Sequence, residues 1–372
     1  MKRAREQILT PGSRLPSLVV WLLLFSFALS GCSPTYVLRA GYEEAKILWR
    51  REPIERVLQR LDLDETTRAK LQMVLDVREF AQDTLHLRAG RSFTTYARVD
   101  ADQVVYVVSA AQRLRLEPYT WWFPIVGRVP YKGFFSKSAA EEEAAALEHA
   151  GYDTDVGPSV AFSTLGWFAD PLLSSLLRYD RTILAGIIIH ELLHNTSYLA
   201  GRADFDESFA TFVGDRGAIA YFITRGDIPA VNRAATVWED GLRFSDFLGG
   251  FVARLRQAYA AGITLAERQQ LFAAGQEEFR HLPMATRMYG DFATEKLNNA
   301  IILHDLMYAD RLRVFESLFQ QQHGDLGRTI AIVLDAIHKA KGDPFAAVQA
   351  TIDKPSLEQR AMVGKGPRPH DG

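Results

Sequence analysis

One stretch constrains the fold of this chain more than any other: Ile187-Ile188-Ile189-His190-Glu191-Leu192-Leu193-His194. It lies in an apolar run that reaches from about Leu172 to Leu199. A helix through that run puts His190 and His194, four residues apart, on one face, where both imidazoles reach one ion. Glu191 stands about 100° round the helix, close enough to touch a water on that ion. The residue types suit this chemistry: neutral imidazoles bind zinc, and a carboxylate takes a proton from an acidified water. The surrounding leucines and isoleucines let the helix be buried. The plainer alternative is a buried helix whose two histidines bond to carbonyl oxygens.

The downstream sequence favours the metal. Ala200-Gly201-Arg202-Ala203-Asp204 reads as a turn, and a second helix opens with Asp206-Glu207-Ser208-Phe209-Ala210. Twelve residues separate His194 from Glu207, and a helix–turn–helix of that length folds Glu207 back onto the histidine pair. Three protein ligands, His190, His194 and Glu207, with one open position are the arrangement of a catalytic zinc. Glu207 also has a plainer reading, as a helix-start residue in a capping-box-like pair with Asp204.

The N-terminus reads as targeting, not fold. Lys2, Arg3, Arg5 and Arg14 form a basic segment, and Leu18 to Leu29 an apolar one too short for a transmembrane helix. Leu29-Ser30-Gly31-Cys32 has the form of a lipobox. Residues 1–31 are expected to be removed, with Cys32 lipidated and 32–40 serving as a tether to the membrane. Cys32 is the only cysteine, so no disulfide within the chain is possible. Ser33 directs such a chain to the outer membrane, placing it at the periplasmic face of a Gram-negative envelope. A formal net charge of −2 with no dense Lys/Arg run excludes nucleic acid as a partner.

At 48% hydrophobic and 24% charged, the rest suits one folded domain over 41–363, with 364–372 as a disordered tail. Pro53 interrupts a helical stripe between Tyr36 and Leu61. Residues 64–86 read as a helix, 91–100 and 104–110 as strands, and 138–150 as a charged, solvated helix. Residues 117–135, dense in Pro, Gly and aromatics, read as a packed loop and hairpin that could line a cleft. Val156 to Phe168 reads as a strand, a candidate edge for an extended peptide. After Ala218 the pattern is helical to about Ile352, with one long helix from Thr294 to Gln321 and a capping box at Thr264-Leu265-Ala266-Glu267.

These motifs together resemble a bacterial lipoprotein family of predicted aminopeptidases. The carriers are Trp122-Phe123-Pro124-Ile125-Val126-Gly127, Tyr131-Lys132-Gly133-Phe134-Phe135, Phe162 to Pro171, Ile189 to His194, Glu207 to Val213 and Leu297-Asn298-Asn299-Ala300. The resemblance implies a zincin-like metallopeptidase with one Zn2+ on His190, His194 and Glu207, and Glu191 as the catalytic carboxylate. It implies a peptide or protein substrate. Asp206 stands where the family usually has Asn, which adds a charge beside the metal. Tyr308, or Tyr131, is the candidate donor to a substrate oxyanion. Thr211 occupies the place one turn after the ligand Glu where thermolysin-type enzymes carry an orienting Asp, and Asp215 lies two turns on. The expected fold class is α+β, predominantly α, with a small sheet flanking the metal helix (about 172–199) and a helical C-terminal half. A non-catalytic metal-binding envelope lipoprotein, an envelope endopeptidase and a peptidoglycan hydrolase are the competing readings.

Overall fold

The computed structural model describes residues 41–42, 45–99, 105–123, 127–158 and 169–353. Four expectations lie outside these residues: the leader and Cys32, the tether, the tail from 364, and the part of the expected 156–168 strand beyond Pro158. In chain order the elements begin with β1 (Glu52–Pro53), α1 (Ile54–Leu58), α2 (Glu65–Asp83), β2 (Thr95–Ala97) and β3 (Tyr106–Gln112). Then come β4 (Trp121–Phe123), β5 (Gly127–Val129), β6 (Tyr131–Phe134), α3 (Lys137–His149), β7 (Tyr152–Pro158) and β8 (Leu172–Leu173). The helical half holds α4 (Arg181–Thr196), α5 (Ala203–Thr224), α6 (Ile228–Ala260), α7 (Leu265–Arg280), α8 (Asn299–Ala309), α9 (Leu312–Gln321), α10 (Leu326–Lys339) and α11 (Pro344–Ile352). The chain is thus mostly helical with small sheets, as its pattern predicts.

Helix α5 is the axis. Phe205, Phe209, Phe212, Val213, Ala218, Tyr221 and Phe222 bury it on nearly every side, the pattern of a helix enclosed by others. It packs against α4, α6, α8, α9 and α10. Phe315 of α9 meets Phe205, Phe209 and Phe212 at centroid distances of 5.6, 5.2 and 5.6 Å, locking the C-terminal helices onto the axis.

The larger sheet has the order β6-β3-β7, antiparallel throughout. Side chains alternate across it. Val108, Ala110, Phe134, Tyr152 and Val156 pack with α3. Asp153 and Asp155 point to the other face, where α8 lies: the Asn299 N–H donates to Asp153 at 3.1 Å. Arg268 of α7 clamps the same carboxylate at 2.6 Å.

Several boundaries differ from the sequence pattern. The metal-motif helix spans 181–196, not 172–199. Leu172 and Leu173 pair in parallel with β2, a 3-10 turn follows at Ser174–Arg178, and Asp180 caps the helix by accepting from the Thr182 N–H at 2.9 Å. The expected 91–100 strand shrinks to 95–97, with Phe93 turned at φ 59°. The long 294–321 helix is two helices, broken at Arg311 with φ 49°. Side chains complete the break: Ser208 donates to the Met307 carbonyl and accepts from the Asp310 N–H, and Ser245 accepts from the Leu312 N–H. Helix α3 is not merely a solvated face, since Glu143 accepts from Trp121 Nε1 and from Lys132 Nζ. Helix α5 starts at Ala203, and Asp204 pairs with Arg202, so it forms no capping box with Glu207.

Asp240 on α6 is fully buried and holds the 285–286 turn. It accepts from the backbone N–H of Ala285 at 3.0 Å and Thr286 at 2.6 Å, and from Arg243 at 2.8 Å. Burial opposes its charge, but these donors hold its carboxyl below the usual range. Asp240→Ala should cost about 3 kcal/mol in denaturant unfolding at pH 7, from the N–H groups it leaves unpaired. Because the folded value is depressed, that contribution is complete above about pH 4 and is lost as pH falls further. The gap between wild type and variant should therefore narrow in acid. An equal gap at pH 3 and pH 7 would exclude the charged role.

Candidate metal centre

Helix α4 buries Leu184, Ile188, Ile189, Leu192 and Leu193 and turns Gly186, His190 and His194, spaced by four, toward α5. The two helices form a hairpin through residues 197–202. Asp206 closes it, its two carboxylate oxygens accepting from the Leu199 N–H at 3.1 and 3.0 Å. Glycines set the approach. A Cβ on Gly214 would lie 2.7 Å from the Gly186 carbonyl oxygen and 3.1 Å from His190 Cβ. Gly214 is two turns beyond Glu207, on the same side of α5. The helices therefore close enough for one glutamate to reach both rings.

His190 Nε2 lies 3.2 Å and His194 Nε2 3.4 Å from Glu207 Oε2, and the two nitrogens are 3.1 Å apart. Among the described residues this is the one group of His, Cys, Asp and Glu compact enough to hold an ion. Tetrahedral zinc with ligands at about 2.0–2.2 Å needs donors about 3.3–3.5 Å apart, close to the triangle found. The donor set, two imidazoles and a carboxylate, is also one that zinc accepts. Glu191 adds a second observation: its Oε2 is buried and has no hydrogen-bond partner, an orphan that a polar ligand would satisfy.

The electrostatics follow from the packing. Burial pushes the His194 imidazole down, but Glu207, with Glu191 and Asp206, outweighs it and raises the value to about 9. Burial pushes Glu207 up, and His194 and His190 pull it well below the usual range. Asp206, the residue expected to add a charge, is raised to about 7, chiefly by burial. Burial likewise raises Asp215 to about 6, against the nearby His190 charge. Asp215 is thus in the field of His190, though no hydrogen bond joins them.

Both candidate oxyanion donors sit at the centre. The Tyr308 ring stacks on His190 at 6.3 Å and keeps 36% of its surface exposed. Burial, then Glu207, Tyr131 and Glu191, raises its phenol well above the ordinary value. Tyr131 is raised in the same way by burial, Glu207, Tyr198 and Glu191. Both therefore stay protonated and able to donate. Sequence reasoning missed the two glycines and the cap made by Asp206. Gly186, four residues before His190, was a visible signal of close helix contact.

A family model described as Putative aminopeptidase matches residues 35–342. The chain belongs to this family. The match spans the helix hairpin, Tyr131, Tyr308 and all three sheets. No curated protein and no solved structure matches the chain. For this aminopeptidase-family chain the name implies a peptide substrate, and the residues around the donor triangle are those from which a chemistry has to be built.

Proposed function

We propose that this chain is a zinc-dependent peptidase of zincin type, tethered by lipid on Cys32 at the periplasmic face of the outer membrane. The observation that carries the reading is the donor triangle of His190, His194 and Glu207 beside the unpaired Glu191 carboxylate oxygen. A zinc ion held there would acidify a water and polarise a peptide carbonyl. The chain's own groups do the rest. Glu191 accepts the proton of the attacking water and hands it to the departing amine. Tyr308 and Tyr131 donate hydrogen bonds to the carbonyl oxygen as its charge develops. Asp206 keeps Glu207 on the hairpin by fixing the turn before it.

A non-catalytic metal lipoprotein has no use for an unpaired buried carboxylate next to the ligands, where it costs free energy. The test is metal analysis of the detergent-solubilised full-length chain. About one zinc per chain is expected in the wild type, and none in His190→Ala at unchanged helix content. A chain that binds no zinc, or a variant that keeps it, would sink the proposal.

A further inference from the structure

Helix α8 carries Ile301, His304 and Tyr308 at spacings of three and four, so the three share one face. Tyr308 touches the centre through His190. The His304 ring lies 5.5 Å from Tyr308, one turn further out. His304 Nδ1 is buried with no hydrogen-bond partner, and the chemistry proposed above does not use it.

Strand β7 runs beside this face and fixes what stands opposite. Asp153 bonds to the Asn299 N–H at the start of α8, and Asn298 Nδ2 bonds to the Thr154 carbonyl at 2.8 Å. Asp155 shares the face of Asp153, about 6.6 Å further along the strand. His304 is five residues beyond Asn299, about 7.5 Å along the helix. The register therefore sets Asp155 across from His304, and each feels the other's charge. No salt bridge joins them, so a gap separates the carboxylate from the ring. Strand β7 is also the edge of its sheet among the described residues, and a cavity of about 430 Å³ opens along that edge, walled by Glu141 and Glu148 of α3 on one side and by Lys296 and Ile301 on the other; it reaches Asp155 but not His304.

The gap is acidic. Glu295 adds its charge beside Asp155, while Asp305 stands by as a protonated, neutral carboxyl at pH 7. Burial raises Asp155, and burial with Glu295 and Asp155 raises Asp305 to about 8. Lys296 also lines the cavity beside Asp155, but the shift of neither carboxyl traces to a lysine or arginine. These side chains do not converge tightly enough for a bare ion, since only His190, His194 and Glu207 do so among the described residues. A substrate ammonium group, larger and with three hydrogens to donate, suits a neutral imidazole nitrogen and a carboxylate together.

We propose that Asp155 and His304 bind an ammonium group of the peptide substrate, its free α-amine, and so hold the amino terminus upstream of the bond to be cut. The inference rests on the peptidase reading and adds what decides exopeptidase action. Two ring contacts, 6.3 and 5.5 Å, separate His190 from His304. At about 3.3 Å per extended residue that path spans no more than three or four residues, so cleavage falls close to the amino terminus.

The test uses one peptide with a free amino terminus, the same peptide N-acetylated, and the acetylated form with lysine at its first position. Each is titrated calorimetrically into Glu191→Gln protein, and cleavage is measured with wild type. Acetylation should weaken binding at least tenfold, and Asp155→Asn should weaken the free-amine peptide alone by a similar factor. In cleavage Asp155→Asn should raise KM, with kcat changed less than threefold. If the acetylated lysine peptide binds as tightly as the free-amine one, the ammonium comes from a side chain, and the α-amine assignment is overturned. Equal binding of free-amine and plain acetylated peptides, an equal effect of Asp155→Asn on both, or no binding of either overturns the ammonium site altogether. Failure of the zinc reading looks different: amine-selective binding persists in a protein that holds no zinc.

Discussion

Glu191→Gln should lower peptide hydrolysis by about 10²–10⁴-fold while zinc content and unfolding midpoint stay near wild type. Glutamine keeps the volume and the half-buried position of the side chain. The buried Oε2 it alters makes no hydrogen bond, so no structural partner is stranded. What disappears is the capacity to take a proton. Zinc analysis, thermal unfolding and a single peptide assay on one preparation check all three parts. Turnover within tenfold of wild type would show that another group is the base. Loss of zinc would show that Glu191 is a ligand.

Gly214→Ala is expected to destabilise the chain by about 1–3 kcal/mol and to weaken zinc binding, against the ordinary preference of helices. In a helix interior alanine is favoured over glycine by about 1 kcal/mol. Here the new methyl would lie 2.7 Å from the Gly186 carbonyl oxygen. That atom is backbone and can yield only if α4 moves away from α5. Such a shift lengthens the His190–Glu207 and His194–Glu207 edges together, because both histidines ride on α4. Gly249→Ala on α6 is the matched control: a Cβ there meets nothing within 4 Å, so it should stabilise slightly. Urea titrations of the two variants, with zinc competition against a chromogenic chelator, give the comparison. A stabilising Gly214→Ala would mean that the helices are not in contact there.

The local part of this structure was legible in the sequence. His190, His194 and Glu207 fall within one helix hairpin, so residue spacing alone brings them together. The capping box at Thr264 needed only four residues to read, and both its bonds form. The break at Arg311 was not legible, because the groups that satisfy it, Ser208 and Ser245, come from other helices. Local periodicity carries straight through it. The start of α4 was misread for a similar reason. Leu172 and Leu173 have helix-compatible side chains, but their backbone is taken by β2, about 75 residues earlier by the Ser174–Val99 bond. The acidic gap opposite His304 was invisible for a third reason: it depends on the register between β7 and α8, set by the pairing of Asp153 with Asn299 across 146 positions.

The hairpin also separates two parts of the centre in time. The His190–Glu207 contact closes a loop of 17 residues, whereas the Ser208–Met307 bond that helps set Tyr308 closes one of 99. Short loops close at lower entropic cost and faster than long ones. By loop length alone the three donor side chains therefore come together before the contact that sets Tyr308. In the peptidase proposed above, the competence that depends on Tyr308 would then be the last property of the centre to form.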